Sequence, residues 1–155
     1  MGERMRGLSV MQPWASAIAY GKKTVENRTW GAPEWITGQA IAVHASRGVD
    51  WDATAAAWIA AGLTPYDGTA KHKAWTASLT LGAVVAVARV TGSCVPWKCG
   101  GECSPWAVKG QDHWQLADVR PLADPVPCRG MLGLWRLPDD VEQAVRAQLG
   151  EDKSR

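Results

Sequence analysis

The chain has 155 residues, and 46% of them are hydrophobic, which suits one compact domain with a core of its own. Seventeen Lys plus Arg stand against 15 Asp plus Glu, so the net charge of +2 excludes a broad basic surface that coats nucleic acid, and any anionic partner must be held by a local cluster. No stretch approaches the roughly 20 apolar residues of a membrane helix, so no membrane partner is expected. Arg4 and Arg6 precede an apolar stretch that Gln12 and Pro13 interrupt, so the expectation is a cytoplasmic protein without a secretory leader. The four cysteines are then expected to be reduced thiols or metal ligands.

In chain order, residues 8–11 read as a short entering strand. Pro13 sits where helices start, and WASAIAY over Trp14–Tyr20 has alanines with apolar residues at helical spacing. Gly21 is expected to end that helix in a left-handed conformation, turning Lys22 and Lys23 across its end. TVENRTW over residues 24–30 alternates like a strand, residues 31–38 form a loop, and QAIAVHA over residues 39–45 is a strand. Asp50 is expected to cap a helix over residues 50–61, which Gly62 stops. Residues 64–68 form a turn, residues 71–78 a shorter helix, and residues 81–90 (LGAVVAVARV) a central strand. The segment 92–110, with three cysteines, is a long loop that needs a function or a fastening. Residues 113–119 and 131–137 are strands separated by proline-rich turns, and a last helix runs from Pro138 through Gln148. The tail 151–155 is expected to fray, leaving one domain over residues 1–155. The mixture predicts an α+β fold with a small curled or barrel-like sheet.

The segment LSVMQPWASAIAYGKKTVENRTW resembles the opening of ASCH domains, members of the PUA-like superfamily. Gly21, Lys23, Glu26 and Arg28 fit their G-x-K-x-x-E-x-R signature, and the likeness continues through IAVHASR, the SPWA-to-HW stretch and the closing GLWRL. The resemblance implies a PUA-like β-barrel with flanking helices and a cleft that binds RNA or another nucleic acid. A branch of the superfamily hydrolyses N4-acetylcytidine with a Lys and a Thr in this signature. Lys23 matches that Lys, but Glu26 stands in the place of the Thr nucleophile. Ribonuclease activity is associated with a few relatives, so a hydrolase acting on RNA or a modified nucleoside is the alternative, with Lys23 and Glu26 as its acting groups.

The residues themselves suggest how such a cleft works. An extended 24–30 segment puts Glu26 and Arg28 on one face, and Lys23 joins them only if the backbone bends beside it. Lys23 and Arg28 can then hold a phosphate or carbonyl, while Glu26 accepts from an exocyclic amine. The plain alternative is an exposed ion-pair set worth roughly 0–1 kcal/mol per pair. Gln12 offers an amide for a base edge and Trp14 a stacking face, although core packing explains a Trp equally. His44 falls on the strand face opposite Ile41 and Val43, which turns it outward or into the cleft. Ser104 and Trp106 lie where that cleft can close. Cys94, Cys99 and Cys103 are spaced C-x4-C-x3-C, and Cys128 or His113 can supply a fourth donor for Zn²⁺. No other cofactor is expected. A zinc-stapled adaptor that binds protein is the third reading.

Overall fold

The computed structural model describes residues 4–66 and 79–151. Six strands form one sheet: β1 (Arg6–Gln12), β2 (Val25–Arg28), β3 (Ala40–Val49), β4 (Ala83–Cys94), β5 (Asp112–Pro127) and β6 (Leu134–Arg136). Their spatial order is β2-β5-β4-β3-β1-β6, with β1 parallel to β3 and every other pair antiparallel. Helices α1 (Trp14–Tyr20), α2 (Ala55–Ala60), α3 (Pro96–Cys99) and α4 (Asp139–Gln148) flank it. The α+β class is as expected, but the sheet does not close into a barrel, because β2 and β6 remain unpaired edges. It is nonetheless curled enough for the Arg28 guanidinium on β2 to donate to the Ser9 carbonyl on β1 at 2.6 Å.

Both faces of the sheet are covered, which explains the nearly continuous apolar run of β4. Leu8, Ile41, Val43, Val85 and Val90 pack with α1 residues Ala15 and Ile18 on one side. Ala42, Val84 and Val87 pack with Trp135, Val141 and Val145 on the other. The face of β3 that carries His44 therefore meets Trp135 rather than solvent, and His44 is only 2% exposed.

Several boundaries differ from the sequence reading for local reasons. The Asp50 carboxylate accepts from the Trp14 indole at 2.9 Å, and Thr54 caps α2 instead, so that helix starts later than expected. β5 runs through Pro121 and Pro125, where the sequence predicts proline-rich turns. Beyond Leu116 it pairs with β4 alone, so prolines are tolerated along its open side. β6 is shorter than the expected 131–137 strand, and Leu132 is almost fully exposed. The expected helix over residues 71–78 lies outside the described residues, as does most of the charged tail.

Candidate functional site

The turn after α1 makes the site. Gly21 is not left-handed, as its φ is −104°. It is required by proximity, since a Cβ there would lie 2.3 Å from the Ala60 carbonyl of α2. The left-handed residue is Lys22, with φ of 60°, and this turn brings Lys23 onto the same side as Glu26 and Arg28. The Lys23 ammonium lies 3.0 Å from Glu26 Oε1 and also donates to the Val25 carbonyl. Arg28 Nε donates to Glu26 Oε2 at 3.0 Å. Lys23 is 2% exposed and Glu26 7%, and Arg28 is half-buried, so the set is a largely buried network rather than a surface ion pair.

These three residues line a hollow of about 370 Å³ together with Trp14, Asn27, Asp50, Trp106 and others. Trp14 and Trp106 meet edge to face, with centroids 6.5 Å apart, and form a corner. The Lys23 ammonium sits 5.9 Å from the Trp14 ring. Asn27 clips the segment that carries Trp106: its amide donates to the Trp106 carbonyl at 2.9 Å and accepts from the Val108 amide at 2.8 Å. The sequence marks Asp50 only as a helix cap and gives no signal for Asn27, yet both line the hollow.

Other candidates fall elsewhere. Gln12 is fully buried and not in the hollow; its side chain accepts from the Ser16 amide and donates to the Thr80 carbonyl, which starts α1 where Pro13 offers no side-chain cap. Ser104 does not line the hollow, but its hydroxyl accepts from the Trp106 amide and so sets the turn presenting that ring. His44 lines a second, larger hollow of about 760 Å³ with Arg47, Cys128, Arg129 and Met131. Its Nε2 donates to the Cys128 carbonyl at 2.9 Å, which leaves Nδ1 to accept from the Ser9 hydroxyl at 3.2 Å. Burial lowers its pKa, reinforced by the nearby Arg47 charge and opposed by the Cys128 hydrogen bond. Ser9 borders both hollows.

The cysteine segment gathers a different fourth donor from the Cys128 included in the expected set. Cys94, Cys99, Cys103 and His113 bring one donor atom each to within 4.8 Å of one another, while Cys128 lies with His44. Cys128 follows the long β5, whose run past Pro121 carries it away from the loop. Burial pushes the Cys103 thiol up to about 11. Burial opposes the Cys99 thiolate too, yet hydrogen bonds from the Cys94 thiol and the Cys103 and Gly101 backbone bring it down to about 6.

The ASCH domain family profile matches residues 8–125. Two solved structures from Zymomonas mobilis share the fold. The ASCH protein is 16% identical, with a TM-score of 0.55 over 94% of this chain and 95% of that one. A Ser-to-Ala variant of an ASCH protein from the same organism is 15% identical, with a TM-score of 0.58 over 93% and 95%. Among curated proteins, no match to the sequence is found. With the profile covering well over half its length, and the fold shared over more than nine-tenths of it, this chain belongs to the ASCH domain family.

Proposed function

We propose that the protein binds RNA or another nucleic acid, or a nucleotide-like molecule, by taking a single base into the hollow between Trp14 and Trp106. The observation that carries this reading is the buried Lys23–Glu26–Arg28 network at the foot of an aromatic-walled hollow. Burying the Lys23 and Glu26 charges, with Arg28 half-buried beside them, costs more folding energy than well-packed apolar residues of similar volume, so such a network suits a ligand's polar edge better than it suits stability. Glu26 retains lone pairs for an exocyclic amine, and Arg28 retains N–H groups for a base carbonyl. Trp14 and Trp106, being perpendicular, suit one base stacked on one ring with the other ring at its edge.

Phosphate belongs elsewhere in this reading. Glu26 and Asp50 offset Lys23 and Arg28 within the small hollow, whereas Arg47 and Arg129 are exposed in the larger one. A short strand can therefore place a base beside Glu26 and run its backbone past Ser9 toward those two arginines. Binding of short single-stranded RNA, single-stranded DNA and a nucleoside and nucleotide panel at low salt tests the proposal. Wild type should bind at least one class, and Lys23→Met should weaken it about tenfold or more, which is about 1.4 kcal/mol. Failure of the whole panel to bind overturns the reading.

The hydrolase alternative needs Lys23 or Glu26 free to act on substrate. Their mutual pairing, with the Lys23 ammonium also held by the Val25 carbonyl, weighs against it. Turnover of acetylated cytidine or short RNA that vanishes in Lys23→Met would favour hydrolysis over binding alone. The protein-adaptor alternative predicts no nucleic-acid or nucleotide binding in the same panel.

A further inference from the structure

The segment from Val95 to Gln111 has little core of its own. Helix α3 contributes no buried residue, and Trp97 is 83% exposed. Yet this segment supplies Trp106, Val108 and Gln111 to the small hollow, so it needs a fastening from outside the apolar core. Asn27 provides one clip. The thiols and imidazole beneath it provide the means for a stronger one.

Their placement comes from three separate pieces of chain. Cys94 and His113 are direct cross-strand partners on β4 and β5. Cys99 ends α3, and Gly100 and Gly101, with φ of 62° and 87°, reverse the chain so that Cys103 returns to the same point. His113 is fully buried, and its Nε2 donates to the Val108 carbonyl at 2.6 Å. That bond fixes the tautomer, so the Nδ1 lone pair faces the sulfurs of Cys99 at 3.5 Å and Cys103 at 3.3 Å. An N–H of one ring nitrogen bound to a carbonyl while the other nitrogen faces thiols is the arrangement of a metal-ligating histidine. A tetrahedral centre with Zn–S near 2.3 Å and Zn–N near 2.0 Å sets its ligand atoms roughly 3.5–3.8 Å apart, close to this spacing. Ordinary burial of cysteine as a small apolar side chain does not account for the group, because Cys103 is exposed and Cys99 only half-buried.

We propose that Cys94, Cys99, Cys103 and His113 bind one structural Zn²⁺ ion that fastens the Val95-to-Gln111 segment and thereby holds the Trp106 wall of the hollow in place. Three thiolates and an imidazole suit Zn²⁺ among divalent ions, and four protein ligands leave no open position for chemistry. The site stands independently of what the hollow binds.

Elemental analysis of full-length protein purified without chelator tests the site. The expected result is about one zinc per chain, released when the thiols are titrated with a mercurial reagent. Reconstituting the reduced, metal-free chain with Co²⁺ should give the intense visible absorption of a tetrahedral thiolate site. Cys99→Ser and Cys103→Ser should lose most of the metal, while His113→Cys and Cys128→Ser keep it. Strongly substoichiometric zinc together with no tetrahedral Co²⁺ spectrum overturns the site, as does a Cys99→Ser or Cys103→Ser variant that retains full zinc. Limited proteolysis tests the fastening: chelation should open cleavage between Val95 and Gln111 and shift the tryptophan emission. Zinc that binds while the protease pattern stays unchanged refutes the fastening role.

Discussion

The two hollows on either side of Ser9 use charge in opposite ways. In the smaller one, Lys23, Glu26 and Arg28 are turned on one another, and Asp50 is engaged by the Trp14 indole. In the larger one, Arg47 and Arg129 stand at the surface, and no ion pair is found for either among the described residues. Compensated buried charges act through hydrogen-bond geometry and hardly respond to salt, whereas exposed arginines act at a distance and are screened. The difference teaches that a chain of near-zero net charge can still keep a compensated buried cluster and an exposed basic pair a short distance apart.

The comparison is broken most severely at its centre. Glu26→Ala leaves the Lys23 ammonium buried without its carboxylate, and the expected cost is about 3–5 kcal/mol in urea unfolding. Glu26→Gln, which keeps the shape, should recover part of this. Lys23→Met removes the ammonium yet leaves Glu26 paired with Arg28, so stability should change far less while ligand affinity falls. If Lys23→Met unfolds the protein as badly as Glu26→Ala, the network is structural and the base-reading role fails. Arg47→Ala and Arg129→Ala should leave stability within about 0.5 kcal/mol, as surface substitutions do. Each should also lower the salt dependence of binding by about one counterion. An unchanged salt slope in both would remove the backbone path from the larger hollow.

The smallest expected effect concerns pH. Burial depresses the His44 pKa below its ordinary value of 6.5, so below that value the unfolded chain takes up a proton that the folded chain resists. The neutral His44 thus favours the fold fully above pH 6.5, and this contribution is lost as pH falls toward the depressed value. The melting temperature should fall on acidification from neutral pH toward 5, and His44→Gln should flatten that part of the profile. A His44→Gln slope equal to wild type would show that other groups carry it.

Much of the site was legible because it is local. Lys23, Glu26 and Arg28 lie within one helix-to-strand turn, and the need for a bend there follows from strand alternation. The residue that bends is not the expected glycine: Gly21 is needed for its closeness to α2, and Lys22 takes the left-handed conformation. The group of Cys94, Cys99, Cys103 and His113 was partly legible. C-x4-C-x3-C marked the three thiols, but choosing His113 over Cys128 depends on the β4–β5 register, which no spacing reveals. For His44 the sequence left open an outward or a cleft-facing side chain, because alternation tells which residues share a side and not what covers that side; it is buried against Trp135 at the edge of the larger hollow.

From its sequence alone this chain determined its α+β composition, its place among ASCH domains, and the cluster of charge after the first helix, because hydrophobic period and turn chemistry act over a few residues. The folded chain decided that the sheet stays open, that Trp106 and Asn27 wall the hollow, that Gln12 is spent on α1, and that His113 joins the three cysteines. Each of those outcomes depends on residues distant in the chain meeting across strands, and such meetings are set by packing and register rather than by local propensity.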